Sequence, residues 1–363
     1  MKDQKHVFII AEAGVNHNGS LDMAKKLIDA AARAGVDAVK FQTFKTEQMI
    51  LPQAPKAVYQ MQNTDLNKSQ YEMIKKLELD QQMHYILKEY CLQRKIQFMS
   101  TPFDTESLDF LVNTLHIPRI KIASGEITNA PLLLQAARSQ KNIILSTGMS
   151  TLGEIEEALG VLAFAYLEQK SQLKNPSRNA FKEAYYSEEA QNYLNQHVSL
   201  LHCTTEYPTP FHEANLRVLN TLSQCFHLET GYSDHTLGTA LPLAAVSLGA
   251  TIIEKHFTLD RNLPGPDHKA SLEPEELTQM VQGIRQIEQA LGYSYKKPAP
   301  SELKNKEIAR KSIVAAKHIQ KGELFTEENL TVKRPGKGIS PLEYWNLLGE
   351  KASKSYVENE MIK

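Results

Sequence analysis

The sequence predicts an α/β protein that forms a (β/α)₈ TIM barrel followed by a small C-terminal domain. Eight short apolar runs alternate with amphipathic helical stretches, and this alternation fills residues 1–292. Strands that alternate with helices form right-handed βαβ units and a parallel sheet. Eight such units in a stretch of this length fit a closed barrel better than the alternative, an open doubly wound sheet.

The strands and helices are predicted from the period of the apolar positions. The eight strand candidates are residues 7–12, 38–42, 96–101, 119–123, 142–147, 199–204, 228–233 and 251–257. The helical patterns between and after them cover residues 21–34, 81–95, 131–139, 151–167, 237–248 and 274–291.

Two insertions interrupt this alternation. Residues 44–79 follow the second strand, on the catalytic face of a barrel, and are placed to cover a substrate. Their candidate contact residues are Lys45, Lys56, Tyr59 and Gln60. Residues 168–196 are polar and connect a helix to the sixth strand, where connections are usually short. We expect one extra helix at residues 179–195 there, with no catalytic role; an oligomer contact or simple tolerance of the insertion explains it better.

A linker and a second domain follow the barrel. Residues 293–305 are rich in Pro and Tyr and begin directly after Gly292, which is typical of a linker. Residues 306–363 contain strand-like runs at 311–315 and 330–333 separated by turns. This stretch is too short and too polar for a second large core, so we expect a compact appendage.

Composition excludes several classes of function. Of the 363 residues, 42% are hydrophobic and 23% are charged, and the formal net charge is −1. This balance gives no electrostatic reason to expect nucleic acid or an anionic membrane as a partner. The N-terminal apolar run is too short for a signal sequence or a membrane span, and Cys91, Cys203 and Cys225 are scattered. We therefore expect a cytoplasmic protein.

Polar residues lie near the carboxyl ends of most of the predicted strands, where TIM barrels place their active sites. Lysines supply positive charge, and serines beside Gly turns supply hydroxyl donors, a combination suited to a phosphate or a carboxylate. The residues concerned are Lys40, Lys121, Ser124, Ser146 and Ser233. A single lysine or histidine in a strand is as easily explained by an outward salt bridge. Because most of the predicted strands end in polar residues of this kind, the whole set argues for an active site.

Two histidines are candidate metal ligands. His235 and His256 lie at the ends of adjacent strands, at the inward parity of Ser233 and Glu254. Imidazoles on neighbouring strands can share one divalent cation. The carboxylates available for proton transfer or contacts with sugar hydroxyls are Glu12, Glu126 and Asp267.

Taken together, these motifs resemble one family. The matching runs include Asn16-His17-Asn18-Gly19, Val39-Lys40-Phe41-Gln42-Thr43, Ser100-Thr101-Pro102-Phe103, Lys121-Ile122-Ala123-Ser124-Gly125-Glu126, Leu145-Ser146-Thr147-Gly148-Met149, Tyr207-Pro208-Thr209-Pro210, Ser233-Asp234-His235-Thr236, Glu254-Lys255-His256-Phe257-Thr258 and Pro264-Gly265-Pro266-Asp267-His268. The chain resembles the sialic acid (nonulosonate) synthases. Val332-Lys333-Arg334-Pro335-Gly336 is similar to their C-terminal SAF (antifreeze-like) domain. The resemblance covers nearly the whole chain except residues 168–196.

The resemblance implies a role for each candidate residue. Phosphoenolpyruvate would be held by Lys40, Thr101, Lys121, Ser124, Ser146 and Ser233. The amino sugar would be contacted by Glu12, Gln42, Tyr207, Asp267 and Arg334. Catalysis would involve Glu126 as the proton-handling carboxylate, with Lys121 and Glu12. His235 and His256 would bind manganese, or else magnesium or cobalt.

The resemblance also implies an assembly and a reaction. The SAF domain would reach the barrel of the other protomer in a domain-swapped homodimer, so that Arg334 acts in trans. The metal would act as a Lewis acid on the aldehyde of the sugar while C3 of phosphoenolpyruvate attacks it. Some relatives carry Asn at the position of Thr205, which leaves a phosphate contact there open.

Three alternatives remain on sequence grounds. The sugar is either N-acetylmannosamine or a 2,4-diacetamido-2,4,6-trideoxymannose, the substrate of a legionaminate synthase. The third alternative is a sugar-binding barrel without catalysis. The complete set of two lysines, two histidines and Glu126 argues against that one.

Overall fold

The computed structural model divides the chain into two compact units, Met1–Gly292 and Tyr293–Lys363. The structure describes residues 6–57, 60–61, 64, 69–168 and 175–363. Tyr59, one of the residues expected to cover a substrate, lies outside this described part of the chain.

The first unit is an eight-stranded parallel barrel, as predicted. Its strands are β1 Phe8–Gly14, β2 Ala38–Thr43, β3 Gln97–Pro102, β4 Arg119–Ile122, β5 Asn142–Ser146, β6 Val198–His202, β7 Glu229–Asp234 and β8 Ile252–His256. Hydrogen bonds join them in the order β3-β2-β1-β8-β7-β6-β5-β4. The two end strands, β3 and β4, approach each other with Cα atoms within 8 Å, which closes the barrel.

Helices surround these strands and bury their outward side chains in one continuous apolar layer. The longer helices of this unit are Leu21–Ala34, Gln81–Gln93, Ala130–Arg138, Leu152–Glu168, Arg178–Tyr185, Glu188–His197, Val218–Phe226, Ala240–Ser247 and Pro274–Leu291. Shorter ones are Thr46–Met49, Gln70–Lys75 and Thr105–Asp109, the last continuing as a π-helical turn at Phe110–Thr114.

The inside of the barrel is apolar at the bottom and polar at the top. A separate buried cluster fills the bottom with side chains from six strands: Ile10, Ala38, Met99, Ile144, Leu201 and Ile252. Side chains on a strand alternate between its two faces, so the residue two positions further on also points inward. For five of these strands that residue is polar: Glu12, Lys40, Thr101, Ser146 and Glu254. The apolar plug therefore supports a layer of polar side chains directly above it.

The insertion at residues 168–196 differs from the expectation of one helix. The structure forms two helices, Arg178–Tyr185 and Glu188–His197, and residues 169–174 lie outside the described part. Each helix has its own serine cap: Ser177 accepts from the N–H of Ala180, and Ser187 accepts from that of Ala190. The cap at Ser187 starts a new helix and explains the break.

The second unit contains a two-stranded antiparallel sheet. Its strands are β9 Ser312–Ala315 and β10 Leu330–Lys333, close to the predicted runs. A small core of its own includes Ile313, Phe325 and Tyr356. The stretch predicted as a linker, residues 293–305, is not entirely irregular, because a helix spans Pro300–Ala309.

Gly231 in β7 tests the packing of the barrel below the polar layer. A Cβ atom at this position would lie 2.4 Å from the carbonyl oxygen of Ile252 and 2.6 Å from Leu201 Cδ2. We expect Gly231→Ala to lower the free energy of unfolding by about 1–3 kcal/mol, because β6, which carries Leu201, and β8, which carries Ile252, cannot shift without disturbing the barrel. Denaturant unfolding followed by circular dichroism measures this change.

Gly153→Ala is the matched control for this substitution. Gly153 lies in the first turn of helix Leu152–Glu168, and the nearest atom to an added Cβ is Thr151 Oγ1 at 3.9 Å. This variant should be as stable as the wild type or slightly more stable, since Ala has the higher helix propensity. Equal stability of the two variants would show that β7 and β8 are not tightly packed at Gly231.

Candidate active site

A cavity of about 280 Å³ opens at the carboxyl ends of the barrel strands. It lies at the lower end of the range of small-molecule pockets. Most of the residues predicted to form the site line it: Glu12, Lys40, Gln42, Thr101, Lys121, Ser124, Ser146, Tyr207, Ser233, His235, His256 and Asp267. The barrel therefore brings together residues from the ends of seven strands and from the loops that follow them.

One side of the cavity contains two buried lysines that already have partners. Lys40 Nζ lies 2.6 Å from Glu12 Oε2 and donates to Thr101 Oγ1 at 3.0 Å. Lys121 Nζ donates to Ser146 Oγ at 2.6 Å. Both lysine side chains are less than 5% exposed. Buried ammonium groups attract an anion strongly, because little water screens them.

Glu254 lies between the two lysines. Its carboxylate oxygens are 3.6 Å from Lys40 Nζ and 3.5 Å from Lys121 Nζ, and Ser233 Oγ donates to it at 2.9 Å. The inward parity of Glu254 is visible in the sequence, but the sequence alone assigns it no role. A carboxylate held between two lysines is recognisable only when the strands are assembled.

The charges of this cluster depend on one another. Burial would raise the pKa of Glu254, but Lys121 and Lys40 outweigh burial and hold it well below its usual value. Burial would lower the pKa of Lys40, whereas Glu12 and Glu254 raise it above its usual value. Burial lowers the pKa of Lys121, and Glu254 offsets only part of this effect. Lys121 is therefore the lysine of the pair that loses its proton more easily.

The backbone of Gly148 passes close to the side chains of Ser124 and Thr205. Its Oγ accepts from the N–H of Gly148 at 3.0 Å and lies 3.0 Å from Cys203 Sγ. A Cβ atom at Gly148 would lie 2.4 Å from Thr205 Oγ1 and 2.8 Å from Ser124 Oγ, so only glycine fits here. Within the described residues, the buried Thr205 Oγ1 has no hydrogen-bond partner. Thr205 and Cys203 also line the cavity.

The two histidines face each other on the other side of the cavity. The ring centroids of His235 and His256 are 5.5 Å apart at an interplanar angle of 67°. Tyr207 packs against His235 with a centroid distance of 4.1 Å. His235 Nδ1 lies 2.6 Å from the carbonyl oxygen of Thr204, which can only accept, so Nδ1 carries the proton and Nε2 keeps its lone pair.

These histidines fit a divalent cation, although they do not form a complete metal centre by themselves. In the described ranges, no group of three or more His, Cys, Asp or Glu side chains is arranged to hold a metal ion. However, His256 Nδ1 is buried and has no hydrogen-bond partner among the described residues. Burial lowers the pKa of His235 to about 4 and that of His256 well below its usual value. Both imidazoles are therefore neutral, the form that binds metals.

Carboxylates and an amide surround the histidines. Asp267 Oδ2 lies 3.8 Å from His256 Nδ1, and burial raises the pKa of Asp267 to about 6. Gln42 Nε2 donates to Glu12 Oε1 at 3.3 Å. Gly14, at φ 52°, allows these groups to meet, since its Cβ would lie 3.3 Å from Glu12 Oε1 and 3.4 Å from His256 Cε1.

The insertion at residues 44–79 forms part of the cavity wall. Phe44, Met49, Ile50, Gln60 and Ile74 line the cavity. Lys45 instead forms an ion pair with Glu106 at the surface, and Lys56 is not among the lining residues.

One predicted site residue of the barrel, Glu126, does not line the cavity. Glu126 ends a 3₁₀ helix, Ser124–Glu126, and accepts from Asn129 Nδ2 at 2.7 Å. Successive side chains of a 3₁₀ helix point about 120° apart, so Ser124 and Glu126 face different directions. Arg334 belongs to the second unit, where its side chain is exposed and the Arg334-Pro335 peptide bond is cis.

Comparison with known proteins places the chain in a family. Residues 27–296 match the NeuB family, and residues 310–363 match the SAF domain. The fold is an eight-stranded TIM barrel, and the chain belongs to the NeuB family and carries a C-terminal SAF domain.

Similar proteins include two synthases. The N,N'-diacetyllegionaminic acid synthase of Campylobacter jejuni is 52% identical over 359 residues, covering 99% of each chain. The enzyme of the same name from Legionella pneumophila is 44% identical over 346 residues, covering 95% of this chain and 90% of its own. A crystal structure of N-acetylneuraminic acid (sialic acid) synthetase from Leptospira borgpetersenii has a TM-score of 0.66 and 34% identity, covering 83% of this chain and 90% of its own.

Among the described residues, no helix is long and apolar enough to cross a membrane.

Glu254→Gln tests the charge balance between the lysines. The amide keeps the shape of the side chain but removes the charge that raises the pKa of Lys40 and Lys121. Both lysines then lose their protons at lower pH, so anion binding should also be lost at lower pH. We expect the alkaline limit of phosphoenolpyruvate binding to fall by about 1–3 pH units, measured by calorimetric titration over a pH series.

Glu229→Gln is the matched control, because Glu229 lies at the opposite end of β7 and accepts from Ser199 Oγ. It should leave the alkaline limit where it is in the wild type. An unchanged limit in Glu254→Gln would contradict the role of Glu254 in setting the charge of the lysines.

Proposed function

We propose that the protein condenses phosphoenolpyruvate with an N-acetylated aldose and water to give a nonulosonic acid and phosphate. The observation that carries this proposal is a single cavity with two buried lysines on one side and two neutral, facing imidazoles on the other. The membership of the NeuB family supports the same reaction class.

Phosphoenolpyruvate binds at the lysine side. Its phosphate and carboxylate lie against Lys40 and Lys121, with hydroxyl donors from Thr101, Ser124, Ser146 and Ser233 around them. Burial raises the pKa of Glu12, the partner of Lys40, to about 7, so Glu12 can take up a proton when the anion binds. As C3 of phosphoenolpyruvate bonds to the aldehyde carbon, the C2–C3 and aldehyde double bonds become single bonds and the aldehyde oxygen takes up a proton. Water adds at C2 and gives up a proton, and the C2–O bond to phosphate then breaks to leave a ketone. The lysines stabilise the charge that collects on the departing phosphate.

His235 and His256 would hold a divalent cation, and manganese is the proposed metal, with magnesium and cobalt as alternatives. When bound, it supplies Lewis-acid polarisation of the aldehyde oxygen. Tyr207 and Thr204 hold the ring of His235, and the neutral state of both imidazoles leaves lone pairs available. We assign the sugar to Glu12, Gln42, Tyr207 and Asp267, which lie around the histidines. Glu126 is kept as the proposed proton-handling carboxylate, a role that requires its side chain to turn away from Asn129.

The proposed sugar is a 2,4-diacetamido-2,4,6-trideoxymannose. Both of the legionaminic acid synthases described above are more similar to this chain than the sialic acid synthetase of known structure is. N-acetylmannosamine is the second candidate, supported by the 34% identity to that structure.

All three cysteines, Cys91, Cys203 and Cys225, are free thiols, consistent with the proposed cytoplasmic location.

Phosphate release tests the reaction and the sugar together. With phosphoenolpyruvate and manganese, we expect kcat/KM for the diacetamido sugar to exceed that for N-acetylmannosamine by about tenfold or more, because a site that binds the second acetamido group rejects a sugar lacking it. Chelation of divalent ions should abolish turnover with both sugars. A higher kcat/KM with N-acetylmannosamine would establish the second candidate. No phosphate release with either sugar would leave a sugar-binding barrel as the better description.

Arg334 is proposed to contact the N-acetyl group of the sugar from the partner subunit in a domain-swapped homodimer. This role rests on the resemblance of its surroundings, Val332-Lys333-Arg334-Pro335-Gly336, to the SAF domain. We expect Arg334→Ala to raise the KM for the sugar at least about tenfold, as for the loss of a charged hydrogen bond, while the KM for phosphoenolpyruvate stays unchanged. Steady-state kinetics with each substrate varied in turn measures both values.

Mixing two impaired variants, assayed at a sugar concentration well below the KM of Arg334→Ala, tests whether Arg334 acts in trans. In a heterodimer of Arg334→Ala and His235→Ala, one barrel has both histidines and receives the intact arginine from its partner. Unfolding and refolding the two variants together should therefore restore about a quarter of the wild-type activity, since half of the dimers are mixed and each has one intact site. Refolded mixtures no more active than the two variants refolded separately would place Arg334 in its own subunit's site or outside it.

A further inference from the structure

A second buried ion pair lies directly behind the two histidines. Lys255 Nζ is 2.5 Å from Asp234 Oδ2, and both side chains have no exposed surface. Asp234 and Lys255 are opposite each other in the register of β7 and β8. Each comes immediately before a histidine, His235 or His256, so their side chains point to the outer face of the barrel while the histidines point to the cavity.

This pair holds the backbone next to His235. Asp234 Oδ1 accepts from the N–H of Thr236 at 3.0 Å, and Lys255 Nζ donates to the carbonyl oxygen of Thr236. Thr236 directly follows His235, so the two charged groups hydrogen-bond both the N–H and the carbonyl oxygen of the backbone at that point. Tyr232 OH also donates to Asp234 Oδ1 at 3.1 Å.

The stability of the barrel does not explain such a pair. Removing two charges from water costs free energy that their attraction often fails to recover, and replacing a buried ion pair with apolar residues of similar size is frequently neutral or stabilising. An ion pair does fix geometry, since each charged group must face particular partners, whereas apolar side chains need not. Here the partners are the backbone N–H and C=O of Thr236, beside His235, and the ion pair itself joins β7 to β8, the strand that carries His256.

We propose that Asp234 and Lys255 form a positioning pair that sets the orientation and separation of His235 and His256 for a divalent cation. The proposal rests on the proposed metal site. The ion pair ties β7 to β8 one residue before the histidines, and the two bonds to Thr236 prevent the backbone after His235 from rotating. Neither residue touches the cation or a substrate.

The test replaces the pair by apolar side chains of similar size, Asp234→Leu with Lys255→Met. We expect this double variant to fold with a lower melting temperature, because the backbone groups of Thr236 and the hydroxyl of Tyr232 lose these partners. Its affinity for Co²⁺, added alone in calorimetric titrations, should fall by about 10–100-fold, the usual effect of removing groups that orient metal ligands. The visible spectrum of bound Co²⁺ should change, and phosphoenolpyruvate should bind to the metal-free variant as to the metal-free wild type.

Two further variants keep the result interpretable. Tyr232→Phe removes one hydrogen bond to Asp234 but keeps both bonds to Thr236, so its Co²⁺ affinity should match the wild type. Asp234→Asn is the substitute if the double variant does not fold. It removes the charge that holds Lys255, and it should also weaken Co²⁺ binding.

The outcomes separate this inference from the proposed function. If the wild type binds Co²⁺ and His235→Ala with His256→Ala abolishes binding, the metal site stands. In that case, wild-type affinity in the folded double variant, or in Asp234→Asn, overturns the positioning role alone. If the wild type does not bind Co²⁺, or binds it equally without the two histidines, both the metal site and the positioning role are overturned.

Discussion

The mutual neutralisation of buried charges at the bottom of the cavity is the constraint on which the rest of the site depends. Lys40 and Lys121 are almost completely buried, and each would be costly to bury without a partner. Glu254 lies between them, and Glu12 pairs with Lys40. Four strands of the barrel, β1, β2, β4 and β8, must therefore keep their mutual positions to within the reach of these side chains. The apolar plug beneath them supports these positions.

The cavity has two electrostatic environments side by side. The lysine side is ionic, and its hydroxyl groups and Gly148 suit an anion with several oxygen atoms. On the histidine side both imidazoles are neutral, because burial lowers their pKa values, and burial also raises the pKa of Asp267 to about 6. A site that joins an anion to a neutral sugar requires both environments within a few ångströms of each other. The same burial that makes ion pairs costly also keeps the imidazoles ready for a cation.

The sequence predicts the barrel well because its signal is local and repeated. Each of the eight predicted strands lies within two residues of the observed one at both ends. Inward parity also places Lys40, Gln42, Ser233, His235 and His256 correctly in the cavity. The sequence pattern does not predict the helix Val218–Phe226 or the short helix after β3, and the polar insertion forms two helices instead of the single expected one. Helix breaks of this kind depend on single caps such as Ser187, which are weak signals in a polar stretch.

By itself, the sequence determined the order of strands and helices, the polar strand ends and the resemblance to the NeuB family's synthases, since these depend on residue type, spacing and alternation. Only the tertiary structure decided which charges meet. The position of Glu254 between two lysines and the ion pair of Asp234 with Lys255 both join side chains of different strands over distances of a few ångströms. Such distances are set by the closure and stagger of the barrel, which no short stretch of sequence encodes.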